Sequence, residues 1–203
     1  MAETESHGAI LEIDVFQLRE KFKQAEKAIK IIEVYHDDLV IPSVNQLRYA
    51  GFHLTKYLVN PDDQTQLHKA AFHCERANYD ALETGLTYLA EQFVTFKEDF
   101  CDVQIGPHLP EFRNYKKEFR EIQAFVIEHS NTEERQNHID ECYEHYMRLK
   151  EIVEDMDLSR DDLNKEKEKE RRSSRRFQLG AMIATATLVV AIIAVIVTII
   201  ISP

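Results

Sequence analysis

The stretch IDECYEHYMRLKEIVEDMDLSRDDL, residues 139–163, decides the fold class of this chain. Two series of side chains repeat in it every seven residues, one beginning at Ile139 and the other at Cys142. The series interleave at alternating spacings of three and four, which is the heptad pattern of a helix that packs along a seam. The seam is formed by Cys142, Tyr146, Leu149, Val153, Met156 and Leu163.

Helical periodicity also dominates the sequence before this seam. We expect four earlier helices: Ile10 to about Leu39, residues 44–59, about Pro61 to Phe100, and Pro110 to about 130. Asn131 or Thr132 can cap the fifth helix. No stretch alternates with a period of two, so we predict an all-α protein. An antiparallel helical bundle occupies residues 1–130, and a long heptad-patterned helix, residues 131–170, packs on the bundle or forms a stalk.

The end of the chain is basic and then apolar. Residues 180–201 carry no charge, and at about 1.5 Å per residue they span roughly 33 Å, enough for a hydrocarbon core of about 30 Å. Basic residues beside a span stay on the cytoplasmic side. We therefore expect the long helix to lead into a single transmembrane helix within a C-terminal anchor, residues 177–203, with the N-terminal domain in the cytoplasm. A basic juxtamembrane segment, residues 171–176, contains Arg171, Arg172, Arg175 and Arg176.

The seam predicts which partners the chain binds. Continued in register, it reaches the small residues Ala184, Ala191 and Thr198, which allow close packing of helices in lipid. We expect a lipid bilayer as one partner and a second copy of this chain or a helical protein as another. The alternative is that the seam packs only on its own bundle.

Charge argues against one class of function, and cysteine content indicates the compartment. Before Arg171 there are 36 acidic and 21 basic residues (25 in the chain minus four arginines). Such an acidic domain is not suited to non-specific nucleic-acid binding, which needs clustered positive charge. Three cysteines without a Cys-x-x-Cys pair suit a reducing compartment.

Charged and histidine side chains interrupt two otherwise apolar helices. Arg48 and His53 lie in the second helix, and a polar cluster of His73, Arg76 and Asp80 falls on one face of the third. Such residues either hold helices in register through hydrogen bonds or carry chemistry, with an arginine on phosphate charge and a histidine in proton transfer.

The segments LRYAGFHLTKYL and HCERANYDALE resemble the HEPN superfamily, all-α bundles of bacterial toxins and defence systems, over roughly residues 10–130. The resemblance implies metal-independent RNA cleavage by Arg48 and His53 at a dimer interface. The chain also has the parts of a membrane-fusion factor of the SNARE type, which joins a bundle, a heptad helix and a C-terminal anchor. In such a factor Arg160 would supply the polar layer.

His138, Cys142 and His145 share one helical face and could ligate zinc, but Cys142 also belongs to the seam. No second ligand pair stands out, so we predict no metal and no cofactor. The function we expect is that of a tail-anchored interaction and oligomerisation module, a membrane-acting effector in bacterial defence. The alternatives are a HEPN-like ribonuclease, under which nucleic acid would bind, and a SNARE-like factor.

Overall fold

The computed structural model describes residues 13–36, 38–129 and 138–201, with side chains described up to residue 188. Five helices and no strand occur in these residues, which confirms the prediction of an all-α helical bundle. The helices are α1 (Val15–His36), α2 (Ile41–Val59), α3 (Thr65–Asp99), α4 (Phe112–His129) and α5 (Ile139–Ile201). The expected helix start at Ile10 and the expected cap at Asn131 or Thr132 lie outside the described residues.

Local hydrogen bonds determine where the helices begin. Asp14 and Gln17 form a reciprocal capping box at the start of α1. The backbone N–H of Gln17 donates to Asp14 Oδ1 at 2.7 Å, and the backbone N–H of Asp14 donates to Gln17 Oε1 at 3.1 Å. Pro42 lies in the first turn of α2, where a missing N–H costs nothing. Helix α3 begins at Thr65, later than the expected Pro61, because the Asp63 amide closes a turn onto the Asn60 carbonyl at 3.1 Å.

The chain divides into two compact units. The first comprises Met1–Thr95 and Asn114–Glu154. Its core includes Ala25, Ile29 and Ile32 of α1 and a long buried face of α3. Gly85 of α3 permits a close approach, since a Cβ atom there would lie 2.4 Å from Ile32 Cδ1 and 2.8 Å from Tyr146 Cε2. Helices α1, α3 and α5 therefore meet at this glycine.

The second unit comprises Phe96–Arg113 and Asp155–Pro203. Its core is aromatic, with the Phe96 and Phe100 ring centroids 4.9 Å apart. Arg160 places its guanidinium 5.3 Å from the Phe96 centroid and pairs with Asp99 at 2.9 Å. The Arg160 side chain therefore has an aromatic and an acidic partner within its own unit.

The predicted transmembrane helix is wrong for the part of the chain that the structure describes: no helix there is both long enough and apolar enough to cross a membrane. Helix α5 is 63 residues long, but it is strongly charged up to Arg176. Of the three predicted span-packing residues, Ala184 is exposed, and the side chains of Ala191 and Thr198 lie outside the described set.

Candidate functional site

Helix α2 leaves most of its surface open. Ser43 and Ala50 are its fully buried residues, and Leu47, Leu54 and Tyr57 pack partly against the neighbouring core. The side opposite Ser43 and Ala50 exposes the large apolar side chains of Ile41, Tyr49, Phe52 and Val59. We call these four residues, together with Arg48 and Lys56, the α2 face.

The charges of the α2 face are of one sign. Arg48 and Lys56 are exposed, and no aspartate or glutamate occurs between Ile41 and Val59. The other four helices all contain acidic residues. In a chain of formal net charge −11, α2 is therefore a locally cationic element.

Both cations of the α2 face lie against aromatic rings. The Arg48 guanidinium carbon is 5.1 Å from the Tyr49 ring centroid, and Lys56 Nζ is 4.5 Å from that of Phe52. Contacts of this kind hold a cation over a ring without neutralising its charge. The α2 face thus presents partly ordered cations beside apolar surface.

Two histidines join α2 to α3 at the edge of this face. The rings of His53 and His73 are stacked, with centroids 5.3 Å apart and planes inclined by 12°. His53 Nδ1 is 2.9 Å from Gln66 Oε1, and His73 Nδ1 is 2.8 Å from Gln46 Oε1. Because an amide oxygen only accepts hydrogen bonds, each Nδ1 is the donor, and each neutral ring keeps Nε2 as an acceptor.

The surroundings of His73 disfavour its protonated form. Burial is the largest cause of the lowered pKa of this imidazole, followed by the charges of His53 and Arg76. A neutral His73 can stack on the His53 ring without adding a positive charge there.

The predicted polar residues are brought together in a different combination. Arg48 lies on Tyr49, and no direct contact joins it to His53 among the described residues. Arg76 Nε lies 3.8 Å from Asp80 Oδ2, whereas His73 Nδ1 contacts Gln46. Sequence reasoning missed both glutamines as partners of the histidines. It also missed that α2 contains no acidic residue, although this is visible in the sequence.

The six seam residues are all buried. Cys142, Tyr146, Leu149 and Val153 lie in the first unit, and Met156 and Leu163 belong to the second. None is more than 3% exposed, so these side chains are not available to a second copy in this conformation. The four arginines at 171–176, in contrast, are exposed.

The residues considered as zinc ligands have other contacts. His138 Nδ1 is 2.8 Å from Glu141 Oε2, Cys142 is buried, and His145 packs on Phe125 with centroids 4.5 Å apart. Within the described ranges, no group of three or more potential ligands is placed to hold a metal ion.

No family model, curated protein or solved structure matches this chain. The function is therefore inferred from the contacts, exposure and charge of the described residues. The α2 face is the site that these properties single out.

Proposed function

We propose that the helical bundle is a protein-interaction module whose α2 face binds an acidic, amphipathic helix of another protein. One observation carries this proposal: four large apolar side chains are exposed beside two cations on one side of a helix without a carboxylate. A contiguous apolar surface rimmed by charge is typical of an interaction site.

The α2 face has the composition of a binding hot spot. Tyr49 is 45% exposed and Phe52 is 55% exposed, and aromatic residues and arginines dominate binding energy at interfaces. Burying these rings removes apolar surface from water, while Arg48 and Lys56 supply partners for carboxylates.

Charge also favours a different protein over a second copy of this chain. If two copies met symmetrically through α2, four cations would face one another without an acidic residue of α2 to neutralise them. A partner with glutamate or aspartate beside leucine-like anchors has no such cost. Self-association through α2 is thus an outcome that the experiment can detect.

Binding of a designed peptide to the full-length chain tests the proposal. The probe is a fluorescent amphipathic helix of leucine and glutamate, and its control has lysine in place of glutamate. We expect fluorescence anisotropy to show binding of the glutamate peptide that weakens with salt, and no binding of the lysine peptide. Equal binding of both peptides, or dimerisation through α2 without peptide, would overturn the proposal.

Substitutions locate the binding to the α2 face. Phe52→Asp should weaken binding of the glutamate peptide by about thirtyfold or more, as expected for loss of an interface anchor. Ile127→Asp is the matched control, because Ile127 is 75% exposed on α4. If the two variants weaken binding equally, the α2 face is not the site.

The histidine pair favours a second candidate function, the endoribonuclease that the HEPN resemblance implies. His53 and His73 stack at the edge of a cationic helix, and their Nε2 atoms are suited to proton transfer. For a ribonuclease, Arg48→Ala and His53→Ala should abolish RNA cleavage by the purified chain without lowering its melting temperature. Intact RNA with the parent protein would reject this candidate and leave the peptide-binding proposal unaffected.

A further inference from the structure

The last part of α5 with described side chains combines charge and apolar exposure. Every residue from 168 to 188 is exposed. Four arginines, Arg171, Arg172, Arg175 and Arg176, precede Phe177, which is 79% exposed, and Met182, which is 68% exposed. This segment shares no residue with the α2 face.

The arginines are mostly unneutralised. Arg172 pairs with Glu168 at 3.1 Å. Arg171, Arg175 and Arg176 form no ion pair with any residue that the structure describes, and the sequence contains no acidic residue after Glu170. Guanidinium groups without an acidic partner are complementary in charge to the phosphates of an anionic surface, to which they can donate paired hydrogen bonds.

The exposed apolar side chains are not confined to one side of the helix. At 3.6 residues per turn, Leu179 points about 160° away from Phe177, and Met182 about 140° away. A groove in a protein covers one stripe of a helix, whereas lipid acyl chains can contact every side. The arrangement therefore favours lipid over a protein groove as the occupant.

We propose that residues 171–188 bind an anionic lipid bilayer, with the arginines at the headgroup phosphates and Phe177, Leu179, Met182 and Ile183 among the acyl chains. Juxtaposed basic and apolar segments combine attraction to anionic lipid with burial of apolar surface. Because the α2 face takes no part in this binding, the proposal stands or falls independently of the proposed function.

Flotation of the full-length chain with vesicles tests the electrostatic component. We expect flotation with vesicles of phosphatidylcholine and phosphatidylserine, and weaker flotation with phosphatidylcholine alone. Arg175→Glu with Arg176→Glu should lower partitioning by at least about thirtyfold, because each arginine near an anionic surface is worth about fivefold. Lys165→Glu with Lys169→Glu is the matched control on the same helix, and it should have a smaller effect because those lysines lie farther from the apolar side chains.

A second pair of variants tests the apolar component. Phe177→Asp with Met182→Asp should abolish flotation, whereas Leu158→Asp should not change it, although Leu158 is 82% exposed on the same helix. If the Phe177 and Met182 variant floats like the parent, or if the arginine and lysine variants lose binding equally, the proposal is wrong.

Discussion

The three cysteines have the same covalent chemistry but different surroundings. Cys74 and Cys142 are 0% and 1% exposed, and burial raises the pKa of each thiol to about 12. Cys101 follows the end of α3 and is exposed. The attacking form of a thiol is the thiolate, so the reactivity of the two buried cysteines is suppressed twice, by pKa and by access.

We therefore expect Ellman's reagent to label one of the three thiols rapidly in the native protein and all three after unfolding in denaturant. Cys101→Ser should remove the fast phase. Rapid labelling of Cys74 or Cys142 in the folded chain would show that their helices open readily.

His73 makes the stability depend on pH in a predictable direction. Its pKa is lowered from 6.5 in the folded chain, so the unfolded chain binds this proton more readily. The free energy of unfolding should thus fall as pH decreases through 6.5. We expect His73→Gln to reduce this fall, measured as the difference between urea unfolding curves recorded on either side of pH 6.5. An unchanged pH dependence would mean that burial does not disfavour the imidazolium.

The contacts between helices cannot be read from the sequence of either helix alone. The sequence of α3 predicts an amphipathic helix, but it does not indicate that Gly85 lies against Ile32 and Tyr146. The polar contacts of α2 with α3 depend in the same way on packing. His73 and Gln46 are 27 residues apart in the chain, and their side chains meet only because the two helices lie side by side.

Gly85→Ala should destabilise the protein by up to about 2 kcal/mol, because overpacking costs about 1–3 kcal/mol and the gain in helix propensity offsets only about 1 kcal/mol of it. Gly51→Ala is the control, since a Cβ atom there would meet nothing within 4 Å. That variant should gain stability. Chemical denaturation of both variants measures the contrast, and a stabilised Gly85→Ala would contradict the packing at this position.

The molecule as a whole uses its heptad seam to build its own core. Leu149 is 0% exposed although it belongs to a pattern that also suits self-association. A heptad repeat specifies that one stripe of a helix is buried, and other helices of the same chain can cover it. The seam therefore predicted six of the buried residues of α5, although not Ile152, and it did not identify what buries them.

Leu149→Ala should lower the free energy of unfolding by about 2–5 kcal/mol, through lost apolar burial and the cavity left behind. Leu158→Ala, on the exposed side of α5, should change it by no more than about 0.5 kcal/mol. Denaturant titration distinguishes the two. A Leu149→Ala variant that keeps its stability but loses self-association would instead place the seam between copies.

Helical periodicity and the absence of period-two alternation were sufficient to determine an all-α bundle, because the period of a helix is fixed by local hydrogen bonding. Arg48, His53 and His73 were recognisable as polar residues in apolar helices for the same reason. Only the tertiary structure decided that His53 stacks on His73, that both are held by glutamines, and that α2 exposes its apolar face. These features depend on how helices distant in sequence pack together, and the periodicity of a single helix does not encode its neighbours.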